Sequence, residues 1–96
     1  VTLALAPAKP ENVKIGGIVK PSTVLSWDRV KGATAYKLYW RDTTAPTWEN
    51  SRLVGGNIHR YTLEGIVIDN FLFGVASVGE NGHESIVAYP GGLIGR

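Results

Sequence analysis

The chain has few residues that could act together as a nucleophile, a base or a metal ligand, and their spacing keeps them apart. It carries two histidines, His59 and His83, and no cysteine. Metal sites need several convergent ligands in a defined geometry, and nothing in the spacing brings the two histidines together. We therefore interpret both as exposed loop residues and predict no metal site. The lack of cysteine excludes a disulfide or a thiolate ligand.

Serine, acidic and glycine residues show no catalytic pattern either. No serine stands in a Gly-x-Ser-x-Gly turn, and no third group is placed to orient a base. The acids are scattered, and no pair is spaced for general acid–base catalysis: Asp28, Asp42, Glu49, Glu64, Asp69, Glu80 and Glu84. The glycine pairs Gly16-Gly17 and Gly55-Gly56 precede no helical pattern, which argues against phosphate binding. We predict no catalytic residue, no cofactor and no enzyme activity for this domain alone.

Length and charge narrow the classes of partner. The 96 residues suit one domain, and the net charge is only +2, from 10 basic and 8 acidic residues that are mixed along the chain. Nucleic-acid binding needs a concentrated basic face, so we predict no nucleic-acid partner. The longest apolar run, residues 66–78, is interrupted by Asp69, Asn70 and Gly74. This run is too broken to span a bilayer, and we predict no membrane insertion.

The elements that must position any functional side chain are strands. Seven short segments are rich in β-branched and aromatic residues and are separated by turn residues: 12–15, 23–27, 35–41, 52–54, 59–63, 71–78 and 85–89. Asn81-Gly82, between the last two segments, is the strongest hairpin signal, because both residues tolerate a positive φ. No window shows a helical apolar stripe. The pattern predicts an all-β protein, a seven-stranded antiparallel β-sandwich of the immunoglobulin-like class.

Side-chain alternation assigns residues to the two faces of these strands. In the third segment, Tyr36 and Leu38 share one face, and Tyr39 and Arg41 share the other. If the first face meets the core, the second faces outward. The residues that we predict to form the core are Trp27, Tyr36, Leu38, Leu63, Phe71, Phe73 and Val75.

The whole set of segments resembles a fibronectin type III domain over nearly the full length of the chain. The matching pieces, in order, are Pro10, Asn12-Val13, Leu25-Ser26-Trp27, 32–39, 61–66, 71–78, Asn81-Gly82 and Glu84-Ser85. The resemblance implies a linker at 1–8, a type III-like domain at 9–90 and a tail at 91–96. Members of this family usually have a tyrosine where Phe71 stands, so the tyrosine corner should be absent here.

A narrower resemblance concerns the type III-like domain appended to some secreted bacterial zinc peptidases of the aminopeptidase class. It rests on two stretches, 40–46 followed by Trp48, and 73–79 followed by 82–85. The resemblance implies a separate catalytic domain and an extracytoplasmic location. We therefore expect a non-catalytic accessory module that spaces or docks a zinc exopeptidase domain. Its partner would be a neighbouring domain of the same polypeptide or another protein.

The aromatic residues outside the core are the candidates for a working surface. Trp48 lies in the segment 42–50, which is long for a hairpin connection. Tyr39 and Arg41 should face outward beside it, and aromatic and arginine residues are enriched in binding hot spots. We predict that Tyr39, Arg41 and Trp48 form the partner surface. Two alternatives stay open, namely that Trp48 packs over Leu53, or that exposed aromatics bind a glycan.

Overall fold

The computed structural model describes residues 7–17, 22–66, 71–80 and 82–93, which form two facing β-sheets. The strands are β1 (Lys14–Gly17), β2 (Ser22–Ser26), β3 (Ala35–Asp42), β4 (Asn50–Gly55), β5 (Arg60–Glu64), β6 (Phe71–Val78) and β7 (Gly92–Leu93). One sheet has the order β5-β2-β1-β7 and the other the order β4-β3-β6. The predicted all-β sandwich is thereby confirmed. No element in the described ranges is a helix that could cross a membrane.

The first strand begins two residues later than the sequence predicted. Asn12 has a φ of 54°, in the left-handed region, which is incompatible with an extended strand, and β1 therefore starts at Lys14. Before β1, the backbone is held by the Asp28 N–H, which donates to the Glu11 carbonyl over 2.9 Å. The side chain of Asn12 also donates to Asp28, over 2.6 Å. The segment that leads into β1 is thus tied to the loop after β2.

The prediction of a continuous last strand at 85–89 was wrong. Only isolated bridges form there, between Val78 and Glu84 and between Val75 and Ala88. Between the two bridges, the Ser85 hydroxyl accepts the Ser77 N–H over 2.9 Å. A side chain thereby takes the place of a backbone acceptor, and the ladder is interrupted.

The folded part of the chain extends into the predicted C-terminal tail. Gly92 and Leu93 pair with Lys14 and Ile15 of β1, and this is the one parallel pairing among the described strands. Gly91 donates its N–H to the Val13 carbonyl over 2.9 Å. The sheet therefore continues beyond the boundary expected at residue 90. The predicted turn at Asp69-Asn70, and Asn81 of the predicted hairpin turn, lie outside the described residues.

The core lies between the sheets and is centred on two aromatic side chains. Trp27 and Tyr36 are 3% and 0% exposed, and their ring centroids are 5.4 Å apart. The Tyr36 hydroxyl accepts the Val30 N–H over 2.6 Å, so this buried polar group is satisfied. The structure also buries four other predicted core residues: Leu38, Leu63, Phe73 and Val75. Phe71 is only half-buried, at the edge of the core, with its ring 6.4 Å from that of Phe73.

Both faces of β6 are buried along its middle. Phe73 and Val75 face the core, while Gly74 and Ala76 on the opposite face are buried as well. A Cβ atom at Gly74 would overlap Cγ1 of Val87 and lie 3.3 Å from Cζ2 of Trp48. Two side chains therefore rest directly on the backbone of Gly74, which is possible because this residue has no side chain.

This packing gives a prediction about Gly74→Ala. The added methyl group must displace Val87, and such overpacking costs roughly 1–3 kcal/mol of unfolding free energy. The matched control is Gly91→Ala, because a Cβ at Gly91 meets nothing within 4 Å. We expect that control to stay within about 0.5 kcal/mol of the unchanged protein in urea denaturation. Equal midpoints for the two variants would show that the side chains over Gly74 are not closely packed.

Candidate functional site

The described residues contain no group of three His, Cys, Asp or Glu side chains that could hold a metal ion. His59 and His83 are exposed, and each contributes a backbone carbonyl to the fold. Their carbonyls accept the N–H groups of Trp27 and Gly79, respectively, both over 3.0 Å. The hydroxyl of Ser85 is engaged with the backbone of Ser77 and Ile86. These residues have structural roles and do not converge on a reactive centre.

The three residues predicted as a partner surface lie together on the outer face of the β4-β3-β6 sheet. Tyr39 and Trp48 have ring centroids 5.8 Å apart, and the guanidinium carbon of Arg41 lies 5.2 Å from the Trp48 ring. A fourth residue, Tyr89, places its ring 5.8 Å from that of Trp48. We call Tyr39, Arg41, Trp48 and Tyr89 the outer-face cluster. The first three are half-buried, because they cover one another, and Tyr89 is 60% exposed.

Trp48 packs on the sheet, but not on the residue that the sequence suggested. The side chain of Leu53, its expected neighbour, is 63% exposed. Trp48 instead lies over Gly74, between Tyr39 and Tyr89. Gly74 allows a closer approach than the branched side chain of Leu53, which explains where the indole lies.

The loop between β3 and β4 is held in one shape by hydrogen bonds around Asp42. The Asp42 carboxylate accepts the N–H of Thr44 over 3.0 Å and the Thr44 hydroxyl over 2.8 Å. These bonds keep the pKa of Asp42 below its ordinary value. The Asp42 carbonyl accepts the N–H of Ala45 over 3.0 Å, and Arg41 Nη1 donates to the Ala45 carbonyl. The loop thus presents Trp48 from a fixed Asx-type turn.

The other end of the cluster is a small polar network around Tyr39. The Tyr39 hydroxyl donates to Oε1 of Glu84, and Nζ of Lys37 lies 3.5 Å from Oε2 of the same carboxylate. Lys37 also lies over the Tyr39 ring, 5.3 Å from its centroid. Burial raises the pKa of Tyr39 to about 12, and the hydrogen bond and negative charge of Glu84 act in the same direction.

Sequence reasoning missed Gly74, Glu84 and Tyr89 as parts of this site. Gly74 carried a usable signal, since a glycine within a strand pattern often marks the close approach of another group. Glu84 and Tyr89 carried no such signal, because their contacts depend on how the segment after β6 crosses the sheet. The role of Tyr39, Arg41 and Trp48 as a partner surface stays a prediction.

The polar network around Tyr39 predicts how Glu84 affects the pKa of the Tyr39 phenol. Glu84→Gln removes the negative charge, so the pKa of Tyr39 should fall from about 12 toward 10.0 while staying above it, because burial remains. A ¹³Cζ titration of tyrosine by NMR measures this pKa. Glu80→Gln, in the turn after β6, is the control and should leave the Tyr39 pKa unchanged. An unaltered pKa in Glu84→Gln would contradict the network.

The raised pKa also sets the sign of a stability effect. The folded state holds the phenolic proton of Tyr39 more tightly than the unfolded chain does. This contribution to stability is therefore fully present below pH 10 and is lost as the pH rises through about 12. Glu84→Gln should weaken this loss, because the folded and unfolded pKa values then lie closer together.

Solved structures show the fold of the chain. It is similar to the FN1-FN3 domains of chicken CNTN1, with a TM-score of 0.74 and 16% identity over 86% of this chain and 30% of that one. A two-domain fibronectin type III segment of chicken tenascin gives 0.73 and 21% over 86% and 47%. The FN3 domain of human collagen XX gives 0.65 and 24% over 99% and 95%. The chain therefore has the fibronectin type III fold.

No family model matches the chain. Relatives by sequence are found among curated proteins. The chain is 40% identical over 93 residues to a probable zinc metalloprotease of Leptosphaeria maculans, which covers 93% of the chain and 21% of that protein. A probable zinc metalloprotease of Pyrenophora tritici-repentis is 38% identical over 94 residues, covering 93% and 21%. One of Pyricularia oryzae is 35% identical over 95 residues, covering 93% and 18%.

These relatives bear on the narrower resemblance to peptidase-associated domains. The chain spans about a fifth of the length of the curated relatives that it matches. Their description as probable zinc metalloproteases agrees with the expected association with a peptidase. The three organisms are fungi, so the expected bacterial origin finds no support among them.

Proposed function

We propose that this chain is a non-catalytic accessory module of a larger zinc peptidase, and that it docks against another domain of the same polypeptide through the outer-face cluster. Two findings support the association with a peptidase. The curated relatives are described as probable zinc metalloproteases, and the chain matches only about a fifth of their length. The remaining four-fifths leave ample room for a separate catalytic domain.

The observation that carries the docking role is the residue composition of the outer-face cluster together with its preorganised geometry. Three aromatic rings and an arginine lie within 6 Å of their neighbours on one sheet face, and hydrogen bonds hold the adjoining loop. Tyrosine, tryptophan and arginine dominate binding hot spots. A surface that is already ordered loses little conformational freedom on binding, so more of its contact energy is available for affinity.

The geometry favours a protein partner over the glycan alternative. Sugar stacking needs an accessible aromatic face, whereas Trp48 is engaged by Tyr39, Tyr89 and Arg41 and rests on Gly74. Tyr89 is the only member of the cluster that is largely exposed. A single exposed tyrosine gives a poor platform for a sugar chain, but it suits the rim of a protein contact. Export from the cytoplasm is part of the proposal and rests on the resemblance to secreted peptidases.

Limited proteolysis of the whole polypeptide tests the docking role. Trp48→Ala removes the centre of the cluster, so the junction between this module and its neighbour should be cut several-fold faster than in the unchanged protein. Leu53→Ala is the matched control, because Leu53 is exposed on the same sheet and lies outside the cluster. Both variants are first shown by circular dichroism to be folded at the assay temperature. Equal cutting rates in folded Trp48→Ala and Leu53→Ala would overturn the proposal.

A further inference from the structure

We infer that Leu72 and Tyr89, and not Tyr39 and Arg41, make the direct contact with the neighbouring domain, and that the surface they meet there is apolar. This inference rests on the proposed function and deepens it. Arg41 and Asp42 then act as positioning residues, which hold the loop and Trp48 in place. The sequence alone had assigned Arg41 to the contact itself.

Leu72 and Tyr89 are exposed apolar side chains on the sheet face that carries Trp48. Leu72 is 39% exposed and lies directly across from Arg41 in the pairing of β3 with β6. It is one step along the same face from Gly74, on which Trp48 rests. Tyr89 is 60% exposed, and its ring centroid lies 5.8 Å from that of Trp48. We call Leu72, Tyr89 and the half-buried Trp48 the apolar strip, because all three lie on the outer face of this sheet.

Tyr89 also forms part of the wall of a groove. This groove, of about 450 Å³, is lined by residues 9–14 and by Ala88, Tyr89 and Gly91. Its open side would admit a side chain of a partner close to Tyr89. A strip that adjoins a groove allows an interlocking contact, which is the arrangement found around interface hot spots.

Four charged side chains on the outer face beside the strip are engaged within the domain. Lys37 and Glu84 pair with each other, Arg41 donates to the Ala45 carbonyl, and the Asp42 carboxylate accepts two bonds from Thr44. A partner would have to break these contacts in order to pair with the charges. An apolar partner surface needs no such exchange, because it can cover Leu72 and Tyr89 and leave the polar contacts as they are.

The occupant to which we commit is a domain of the same polypeptide. The relatives are about five times as long as the chain, so most of a comparable protein lies outside this module. A covalently linked partner acts at an effective concentration of the order of millimolar. A strip of three apolar side chains is then sufficient for docking, although it is small for a contact between separate molecules.

Hydroxyl-radical footprinting tests this assignment on the whole polypeptide and on the isolated chain. We expect the oxidation rates of Leu72 and Tyr89 to fall several-fold in the whole polypeptide. Leu53 and Ile86 are the internal controls, since they are 63% and 73% exposed and should react equally in both samples. Matched variants complete the experiment. Tyr89→Ser should restore the reactivity of Leu72, whereas Ile86→Ser should not.

Each other outcome has a definite meaning. Protection of Leu53 or Ile86 in place of Leu72 and Tyr89 would overturn both this inference and docking through the outer-face cluster. Protection of Tyr39 and Trp48 without Leu72 and Tyr89 would overturn this inference alone and leave docking through the cluster standing. No protection at any of these side chains would overturn both proposals. Protection in the isolated chain that grows with its concentration would identify a second copy as the occupant and contradict the assignment.

Discussion

The outer layer of this domain depends on the absence of a side chain at Gly74. Trp48 and Val87 both rest on the backbone at this position, and a Cβ atom there would collide with Val87. Because Trp48 can approach so closely, it comes within contact distance of Tyr39, Tyr89 and Arg41. The cluster is therefore a consequence of the close approach of Trp48 to β6. The loop before β4 places Trp48 at this position.

The strand β3 joins this outer layer to the core. Tyr36 and Leu38 are fully buried on one face, while Tyr39 and Arg41 on the other face hold the cluster. Any shift of one residue in the pairing of β3 would exchange the two sets, so the core fixes the position of the cluster. Burial of both faces of β6 strengthens this coupling, because its backbone lies between the two layers. A folded core thus implies a correctly placed outer surface.

The parts of the structure that follow from local patterns could be predicted from sequence, and those that follow from distant contacts could not. Alternation along β3 separated Tyr36 from Tyr39 because side chains in a strand change sides at every residue. The contact of Trp48 with Gly74 joins segments that are far apart in the chain, and no local pattern encodes it. The prediction of a strand at 85–89 was wrong for another reason. The Ser85 hydroxyl replaces a backbone acceptor there and interrupts the hydrogen-bond ladder.

Calorimetric unfolding tests most directly the central claim that this module is docked to a linked domain. Contacts made only in the folded, docked state stabilise the module, so its transition should occur at a higher temperature in the whole polypeptide than in the isolated chain. Tyr89→Ser should abolish this difference and leave the transition of the isolated chain almost unchanged, because the side chain is 60% exposed. An identical transition temperature for the module in both contexts would contradict the account.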